Sequence, residues 1–178
     1  MGVVPLLVGR AVYLLPQRDD LEGLARTLLQ VGGFSLVKIT PAHLTLLSQQ
    51  IPAEKAQSLT SAFVIGGENL TSDQIAFWQK YAPETRLYNE YGPTETVVGC
   101  IVYDARKWRG QGSVPIGRAI PNTTAYVLDR YGQPVPCGVT GELYLGGAGV
   151  ARGYLNNAES TATKFIADRF STDAGSRL

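Results

Sequence analysis

The alternation of strand-like and helix-like segments over the first hundred residues is the feature that most constrains the fold. Short apolar runs bounded by glycine or proline predict strands at residues 11–16, 34–39, 61–67 and 86–92. Helical periodicity or capping signals between them predict helices at residues 20–31, 41–51 and 72–81. Repeated strand–helix–strand units are typical of a parallel sheet flanked by helices, so we expect an α/β fold.

Local signals mark the ends of these helices. Gly32-Gly33 is predicted to stop the first helix, because glycine adopts the left-handed conformation of a helix C-terminus at no cost. Thr40 and Pro41 have the residue types of an N-cap and a first helical turn. Thr71 and Gln74 have the spacing of a capping box.

The pattern changes after residue 100. Short strand candidates separated by Gly, Pro and Asn turns lie at residues 97–105, 114–120, 124–130 and 141–147. They predict a mostly antiparallel region, as a small barrel or a distorted sheet. A last helix is predicted at about 157–170, with Asn156 and Glu159 at capping-box spacing. We therefore divide the chain into an α/β part, residues 1–100, and a β-rich part, residues 101–178.

Composition excludes several classes of function. The chain of 178 residues has a net charge of +1, which gives no support for binding to nucleic acid or to a membrane. No apolar run approaches the roughly 20 residues of a membrane span. The two cysteines, Cys100 and Cys137, fit no metal spacing, and we expect free thiols in the cytoplasm. The single histidine, His43, is expected to have a structural or surface role rather than a catalytic one.

Polar residues cluster where the predicted strands end. In an open parallel sheet, ligands bind at the carboxyl ends of the strands. Gly66-Gly67 would let a flat ligand approach the main chain, and Tyr91 offers a ring for stacking. The hydroxyl of Thr94 can meet phosphate oxygens, and Glu95 is a hard ligand suited to Mg²⁺ beside a phosphate. Alternatively, Gly-Pro-Thr-Glu is a plain turn with solvated side chains.

Three segments together resemble one family. Residues 89–95, NEYGPTE, resemble a signature of adenylate-forming enzymes, and in particular of the adenylation domains of nonribosomal peptide synthetases. Residues 141–156, GELYLGGAGVARGYLN, resemble a second signature of those domains, and residues 114–129 resemble the segment between the two. Acyl-CoA ligases and luciferases share the Gly-Pro-Thr-Glu core, but the ARGYL string favours the peptide synthetases. The order and separation of the segments also match.

The resemblance implies a role for each residue of the first signature, residues 89–95. Asn89 would contact the adenine edge and Tyr91 the adenine ring, while Thr94 would bind the α-phosphate and Glu95 Mg²⁺. Gly66 and Gly67 would line the gap between adenine and the amino-acid pocket. The second signature, residues 141–156, would be largely structural. There Gly146, Gly147, Gly149 and Gly153 are expected to form main-chain turns, and Arg152 a surface or packing ion pair.

The resemblance also places an amino-acid side-chain pocket on the same strands, at Lys38, Val64, Gly66, Glu90, Val98 and Gly99. A buried lysine is costly unless it is paired, and Glu90 is the natural partner of Lys38. This pair offers one donor and one acceptor, which the side-chain amide of asparagine needs. Asparagine is therefore the predicted substrate and aspartate the next, and Glu90→His should weaken Asn relative to Asp. The alternative is a structural pair away from the ligand.

The implied fold is a fragment of the large N-terminal, AMP-binding subdomain, without the C-terminal subdomain and its lysine. The implied reaction joins ATP and an amino acid into aminoacyl-AMP and pyrophosphate, then transfers the acyl group to a phosphopantetheine thiol. The expected partners are the carrier-protein and condensation domains of a multidomain synthetase. The phosphate loop and an amine-binding aspartate are expected before Met1 and a ribose-binding segment after Leu178, so the chain alone should be inactive. The rival functions are an acyl-CoA or aryl-acid ligase and a non-catalytic AMP-binding module.

Overall fold

A computed structural model describes residues 4–15, 20–173 and 175–178. Its helices are α1 (Val4–Leu7), α2 (Asp20–Val31), α3 (Pro41–Gln50), α4 (Ser72–Tyr81) and α5 (Ala158–Lys164). Its strands are β1 (Val37–Ile39), β2 (Ala62–Gly66), β3 (Arg86–Tyr91), β4 (Ile101–Asp104), β5 (Arg118–Ala119), β6 (Thr123–Leu128) and β7 (Glu142–Gly147). Short 3₁₀ turns lie at Ala53–Ser58, Thr94–Thr96 and Ala105–Lys107.

A five-stranded mixed sheet organises the fold, in the order β1-β2-β3-β4-β5. The first three strands are parallel, and β4 and β5 extend the sheet in antiparallel orientation. Strands β6 and β7 form a separate antiparallel pair. The region after residue 100 is therefore mostly antiparallel, as predicted, but half of its strands complete the first sheet and no barrel forms among the described residues.

The core lies between this sheet and helices α2, α3 and α4. Strand β2 is buried at every position because it lies between β1 and β3. Its Phe63 packs edge-on against Trp78 of α4, with ring centroids 4.6 Å apart, and both side chains are fully buried. Leu44 and Leu47 of α3 are also fully buried. The helices thus cover one face of the parallel strands.

The predicted helix signals are confirmed for α3 and α4. The Thr40 hydroxyl accepts a hydrogen bond from the His43 amide at 3.3 Å, and Pro41 lies in the first turn. Thr71 and Gln74 form the capping box of α4, in which the Thr71 amide donates to Gln74 Oε1 at 3.0 Å. Each cap therefore fixes the residue at which its helix begins.

Several predicted elements differ from the structure. The strands predicted at 97–105 and 114–120 are shorter, at Ile101–Asp104 and Arg118–Ala119. Residues 11–15 form no strand, and residue 16 lies outside the described residues. Of the predicted strand 34–39, only Val37–Ile39 pairs with β2 as a strand. Phe34 makes only an isolated bridge with Thr60. Apolar and β-branched character alone does not make a strand where the main chain finds no partner.

The last helix is also shorter than predicted, and it begins one residue later. Asn156 has a left-handed conformation (φ 53°), and Asn157 is the N-cap, whose side chain accepts from the Ser160 amide at 3.0 Å. The helix ends at Lys164 because the following chain pairs with the C-terminus: the Ile166 amide donates to the Leu178 carbonyl at 3.1 Å. No helix among the described residues has the length and apolar character to cross a membrane.

Candidate functional site

The carboxyl ends of β1, β2 and β3 meet at one edge of the sheet because the three strands are parallel. A cleft of about 480 Å³ opens there, which we call the strand-end cleft. Its walls include six of the predicted site residues: Lys38, Gly67, Asn89, Glu90, Tyr91 and Val98. The predicted residues Val64, Gly66, Thr94, Glu95 and Gly99 lie outside its lining.

Strand register separates the predicted residues onto two faces of the sheet. Lys38 pairs with Val64, and Gly66 with Glu90, so these four residues share one face. Asn89, next to Glu90 in the strand, points to the opposite face. Strand β3 therefore presents Glu90 to one side of the sheet and Asn89 to the other.

Lys38 and Glu90 form a hydrogen-bonded ion pair between Lys38 Nζ and Glu90 Oε2, which confirms the predicted pairing. The Glu90 side chain is 4% exposed and the Lys38 side chain 38%. Gly66 and Gly99 make room for the pair. A Cβ at Gly66 would lie 2.7 Å from the Glu90 carbonyl oxygen, and one at Gly99 would lie 2.5 Å from the Glu90 carboxylate carbon.

Asn89 is buried and anchors the wall of the cleft. Its Nδ2 donates to the carbonyl oxygens of Val114 at 3.3 Å and Pro115 at 3.0 Å, which holds the following Ile116 at the cleft. The carboxamide oxygen of Asn89 accepts no hydrogen bond from any residue that the structure describes. Tyr91 is 39% exposed beside it. The contribution of Ile116 was not predicted, although it lies in the segment that joins the two signatures.

The loop after β3 folds back on itself. The Cys100 amide donates to the Tyr91 carbonyl at 3.0 Å, so the loop leaves the sheet and re-enters it at the same place. Val97 and Val98 have left-handed conformations, with φ of 63° and 75°. For β-branched residues this conformation is strained by roughly 1–3 kcal/mol each. Val98 lines the strand-end cleft, as predicted, but the two left-handed residues show that the strand predicted from residue 97 begins only at Ile101.

Glu95 is held by the second signature at two points. Its carbonyl accepts a hydrogen bond from the Ala151 amide at 2.8 Å, and its Oε1 accepts one from the Tyr154 hydroxyl. The hydrogen bond from Tyr154, then one from the main chain of Glu95 itself and the charge of Lys164, lower the pKa of Glu95, so its carboxylate is ionised at neutral pH. Thr94 is exposed on the same turn.

The described residues can hold Mg²⁺, as predicted, only together with a substrate phosphate. Among the described residues there is no group of three or more His, Cys, Asp or Glu side chains that could hold a metal by themselves. Mg²⁺ is commonly held by one or two carboxylates together with substrate phosphates. The single ionised carboxylate of Glu95 meets that requirement, with the remaining ligands supplied by phosphate and water.

Gly147 and Gly149 lie at a main-chain turn, as predicted, in which the Val150 amide donates to the Gly147 carbonyl at 3.2 Å. Gly147 and Gly153 have φ of 104° and 140°, which favour glycine over residues with a side chain. Gly146 instead lies inside β7, where a Cβ would lie 2.9 Å from Leu178 Cδ2, so close packing explains it. At Gly149 a Cβ would lie 3.3 Å from the Thr96 carbonyl oxygen. This glycine allows the second signature to approach the first.

The remaining predictions concern Arg152, the two cysteines and His43. Arg152 is exposed and makes no ion pair with a described residue, so its predicted pair stays a prediction. Its carbonyl accepts from Arg177 Nη1 at 2.7 Å. Cys100 and Cys137 are free thiols, as predicted. His43 Nδ1 lies 2.7 Å from Thr40 Oγ1 at the start of α3, which agrees with a structural histidine.

Comparison with known proteins identifies the family. Residues 2–155 match the AMP-binding enzyme family, so the chain belongs to it. The chain is 40% identical over 169 residues to tyrocidine synthase 3 of Brevibacillus parabrevis, covering 93% of the chain. It is 39% identical over 169 residues to bacitracin synthase 3 of Bacillus licheniformis, also covering 93% of the chain. The chain spans 2% and 3% of the length of these two relatives.

Solved structures agree on the fold. The N-terminal subdomain of NpsA from Klebsiella oxytoca, in complex with 3-hydroxybenzoyl-AMSN, matches with a TM-score of 0.75 at 24% identity, over 95% of this chain and 41% of that one. NpsA-ThdA, an artificially fused adenylation-PCP di-domain from the same organism, matches with the same TM-score over 95% of this chain and 30% of that one. These structural matches confirm the predicted fold class, and the family match and the curated relatives confirm the resemblance.

Proposed function

We propose that the chain is the adenylate-binding part of an adenylation domain that activates asparagine for nonribosomal peptide synthesis. One observation carries this proposal: at the end of β3, adjacent residues point to opposite faces of the sheet, with Asn89 and Tyr91 on one side and Glu90 on the other. An aminoacyl-adenylate has two halves of different chemistry. A strand end that presents different side chains on its two faces can bind both halves of such a ligand.

The nucleotide half would bind the residues of the first signature. The unused carboxamide oxygen of Asn89 can accept from the adenine amino group, and the half-exposed ring of Tyr91 can pack on the adenine plane. The hydroxyl of Thr94 would donate to an α-phosphate oxygen. Glu95 would hold Mg²⁺, which when bound screens the phosphate charges.

The amino-acid half would meet the Lys38–Glu90 pair. Lys38 Nζ can donate to the side-chain carbonyl of asparagine, and the Glu90 carboxylate can accept from its NH₂ group. Aspartate would gain from Lys38 but be repelled by Glu90, which places it second. Val64, Val98 and the two glycines, Gly66 and Gly99, would shape the pocket without deciding its polarity.

The chemistry needs positioning more than proton transfer. A carboxylate oxygen of the amino acid attacks the α-phosphorus of ATP, the bond to the bridging oxygen breaks, and pyrophosphate leaves with the electron pair. The α-carboxylate is already ionised at neutral pH and needs no general base. The residues at the strand ends therefore act by holding the two reactants in line and by stabilising phosphate charge.

We further propose that the acyl group passes to the phosphopantetheine thiol of a carrier domain, next to condensation domains in the same synthetase. The relatives named above are far longer than this chain, and one structural neighbour is a fused adenylation-PCP di-domain. The two free thiols and the use of ATP suit the cytoplasm.

The test is ATP–pyrophosphate exchange by a complete adenylation domain that contains this chain. We expect amino-acid-dependent exchange that is highest with asparagine and second with aspartate, and none with 3-hydroxybenzoate. Exchange with neither Asn nor Asp would contradict the substrate assignment. Exchange driven by an aryl acid alone would favour an aryl-acid ligase, and no exchange with any acid would favour a non-catalytic AMP-binding module.

A further inference from the structure

The hydroxyl of Tyr154 donates to Glu95 Oε1 and links the two signatures across 59 residues of sequence. We propose that Tyr154 is a positioning residue that holds the Glu95 carboxylate in place for the metal and the phosphates. This proposal rests on the proposed function, in which Glu95 carries Mg²⁺. Tyr154 itself touches neither ATP nor the amino acid in this account.

The Tyr154 side chain is fixed before it reaches Glu95. Its own amide donates to Thr161 Oγ1 at 2.9 Å, and the Thr161 hydroxyl donates to the Asn157 carbonyl at 2.7 Å. Its ring packs edge-on against Phe165, with centroids 5.3 Å apart and an interplanar angle of 74°. Phe165 is buried, so one edge of the Tyr154 ring packs against the protein interior.

Glu95 needs such a partner because it lies on a surface turn. Thr94 beside it is exposed, and Val97 two residues later is strained. The second signature holds this turn through the Ala151 amide on the Glu95 carbonyl, at 2.8 Å. The Tyr154 hydroxyl also fixes the Glu95 carboxylate. Without this hydrogen bond the Glu95 side chain would sample several rotamers, and ordering it on metal binding would cost conformational entropy.

The hydrogen bond occupies one carboxylate oxygen and leaves the other, Oε2, for a cation. Mg²⁺ requires near-ideal octahedral geometry, so a carboxylate that presents one oriented oxygen suits it. Hydrogen-bond partners of metal-binding carboxylates typically change metal affinity by about 10- to 100-fold when they are removed. If Tyr154 only packed against Phe165, removing its hydroxyl would not change the metal affinity.

The test compares two tyrosine-to-phenylalanine variants in a complete adenylation domain. Tyr154→Phe removes only the hydroxyl on Glu95 and keeps the ring against Phe165. Tyr144→Phe is the matched control, because the Tyr144 hydroxyl donates to Glu142 Oε2 at 3.3 Å in β7 and belongs to no proposed site. ATP–pyrophosphate exchange is measured over a range of free Mg²⁺ concentrations at saturating ATP and amino acid, and Mg²⁺ binding to the domain with a non-hydrolysable ATP analogue is measured by calorimetry without turnover.

We expect Tyr154→Phe to raise the Mg²⁺ concentration for half-maximal rate by about 10-fold, with the amino-acid KM unchanged. Tyr144→Phe should behave as the unmodified domain. In a Glu95→Gln background, the Tyr154→Phe change should have no further effect, because the two residues act as one unit.

Three results would overturn the proposal. An unchanged Mg²⁺ requirement in Tyr154→Phe would show that the hydroxyl does nothing for the metal. A lower requirement would show that Tyr154 competes with the metal for Glu95. A parallel loss of thermal stability and amino-acid affinity would show a purely structural role. If the unmodified domain shows no exchange, the proposed function is contradicted, and this proposal falls with it. If the unmodified domain is active, any difference in Tyr154→Phe tests the role of Tyr154 alone.

Discussion

Replacing Glu90 with glutamine changes the charge of the predicted amino-acid pocket without changing its shape. The Glu90 side chain is 4% exposed and its partner is the Lys38 ammonium group, which is 38% exposed. Glutamine keeps a carbonyl acceptor for the NH₂ group of an asparagine substrate. It removes the negative charge that would repel the side-chain carboxylate of an aspartate substrate.

The size of the effect follows from the burial of the pair. Two unit charges about 4 Å apart interact by about 4 kcal/mol at an effective dielectric constant of about 20. Lys38 is partly exposed, so solvent screening reduces the repulsion felt by aspartate, and we take half of that value, about 2 kcal/mol. At about 1.4 kcal/mol per factor of ten, the ratio of kcat/KM for Asn over Asp should fall by about 30-fold.

The assay is ATP–pyrophosphate exchange by a complete adenylation domain, with kcat/KM measured separately for asparagine and aspartate. Glu84→Gln is the matched control, because Glu84 is exposed just before β3, at the opposite end of the strand from the cleft. The control should leave the ratio unchanged. If Glu90→Gln leaves the ratio within about twofold of the unmodified value, or raises it, the pair does not contact the substrate side chain and our reasoning is wrong.

Three further predictions concern packing and charge. Gly99→Ala should lower kcat/KM for the preferred amino acid by about tenfold, measured by exchange, because the new Cβ would displace the Glu90 carboxylate; an unchanged value would contradict this. Leu44→Ala should lower the free energy of unfolding by about 3 kcal/mol in denaturant titrations, because Leu44 is fully buried; a loss below about 1 kcal/mol would mean that the site collapses. The hydrogen bond from Arg106 lowers the pKa of Asp104, so the carboxylate stabilises the fold above its unfolded pKa near 4. Asp104→Asn should therefore cost about 0.5 kcal/mol at pH 7, discounted for exposure, and nothing once the pH falls through the folded pKa; an equal cost at low pH would refute the ion-pair explanation.

Short-range signals predicted the elements that position the site. The Thr40-Pro41 start of α3 and the capping box of α4 depend only on residues within one helical turn, and both are present. The pairing of Lys38 with Glu90 was also predicted, because a lysine in an apolar strand needs a counter-charge. Whether that pair contacts an amino-acid side chain stays a prediction.

Long-range contacts explain what the sequence did not reveal. The last helix is shorter than its apolar spacing indicates because the Ile166 amide pairs with Leu178 instead of continuing the helix. The contact of Tyr154 with Glu95 joins positions 59 residues apart, and no local pattern indicates such a pair. The left-handed conformation of Val97 was equally hidden, because β-branched residues disfavour it.

The most direct test of the central claim is a crystal structure of a complete adenylation domain containing this chain, bound to a non-hydrolysable asparaginyl-adenylate analogue. We predict the adenine ring against Tyr91, with its amino group near the carboxamide oxygen of Asn89. On the other face of the sheet, we predict the side-chain amide of the analogue between Lys38 and Glu90. An analogue bound away from the strand-end cleft, or with its side-chain amide remote from this ion pair, would contradict the account.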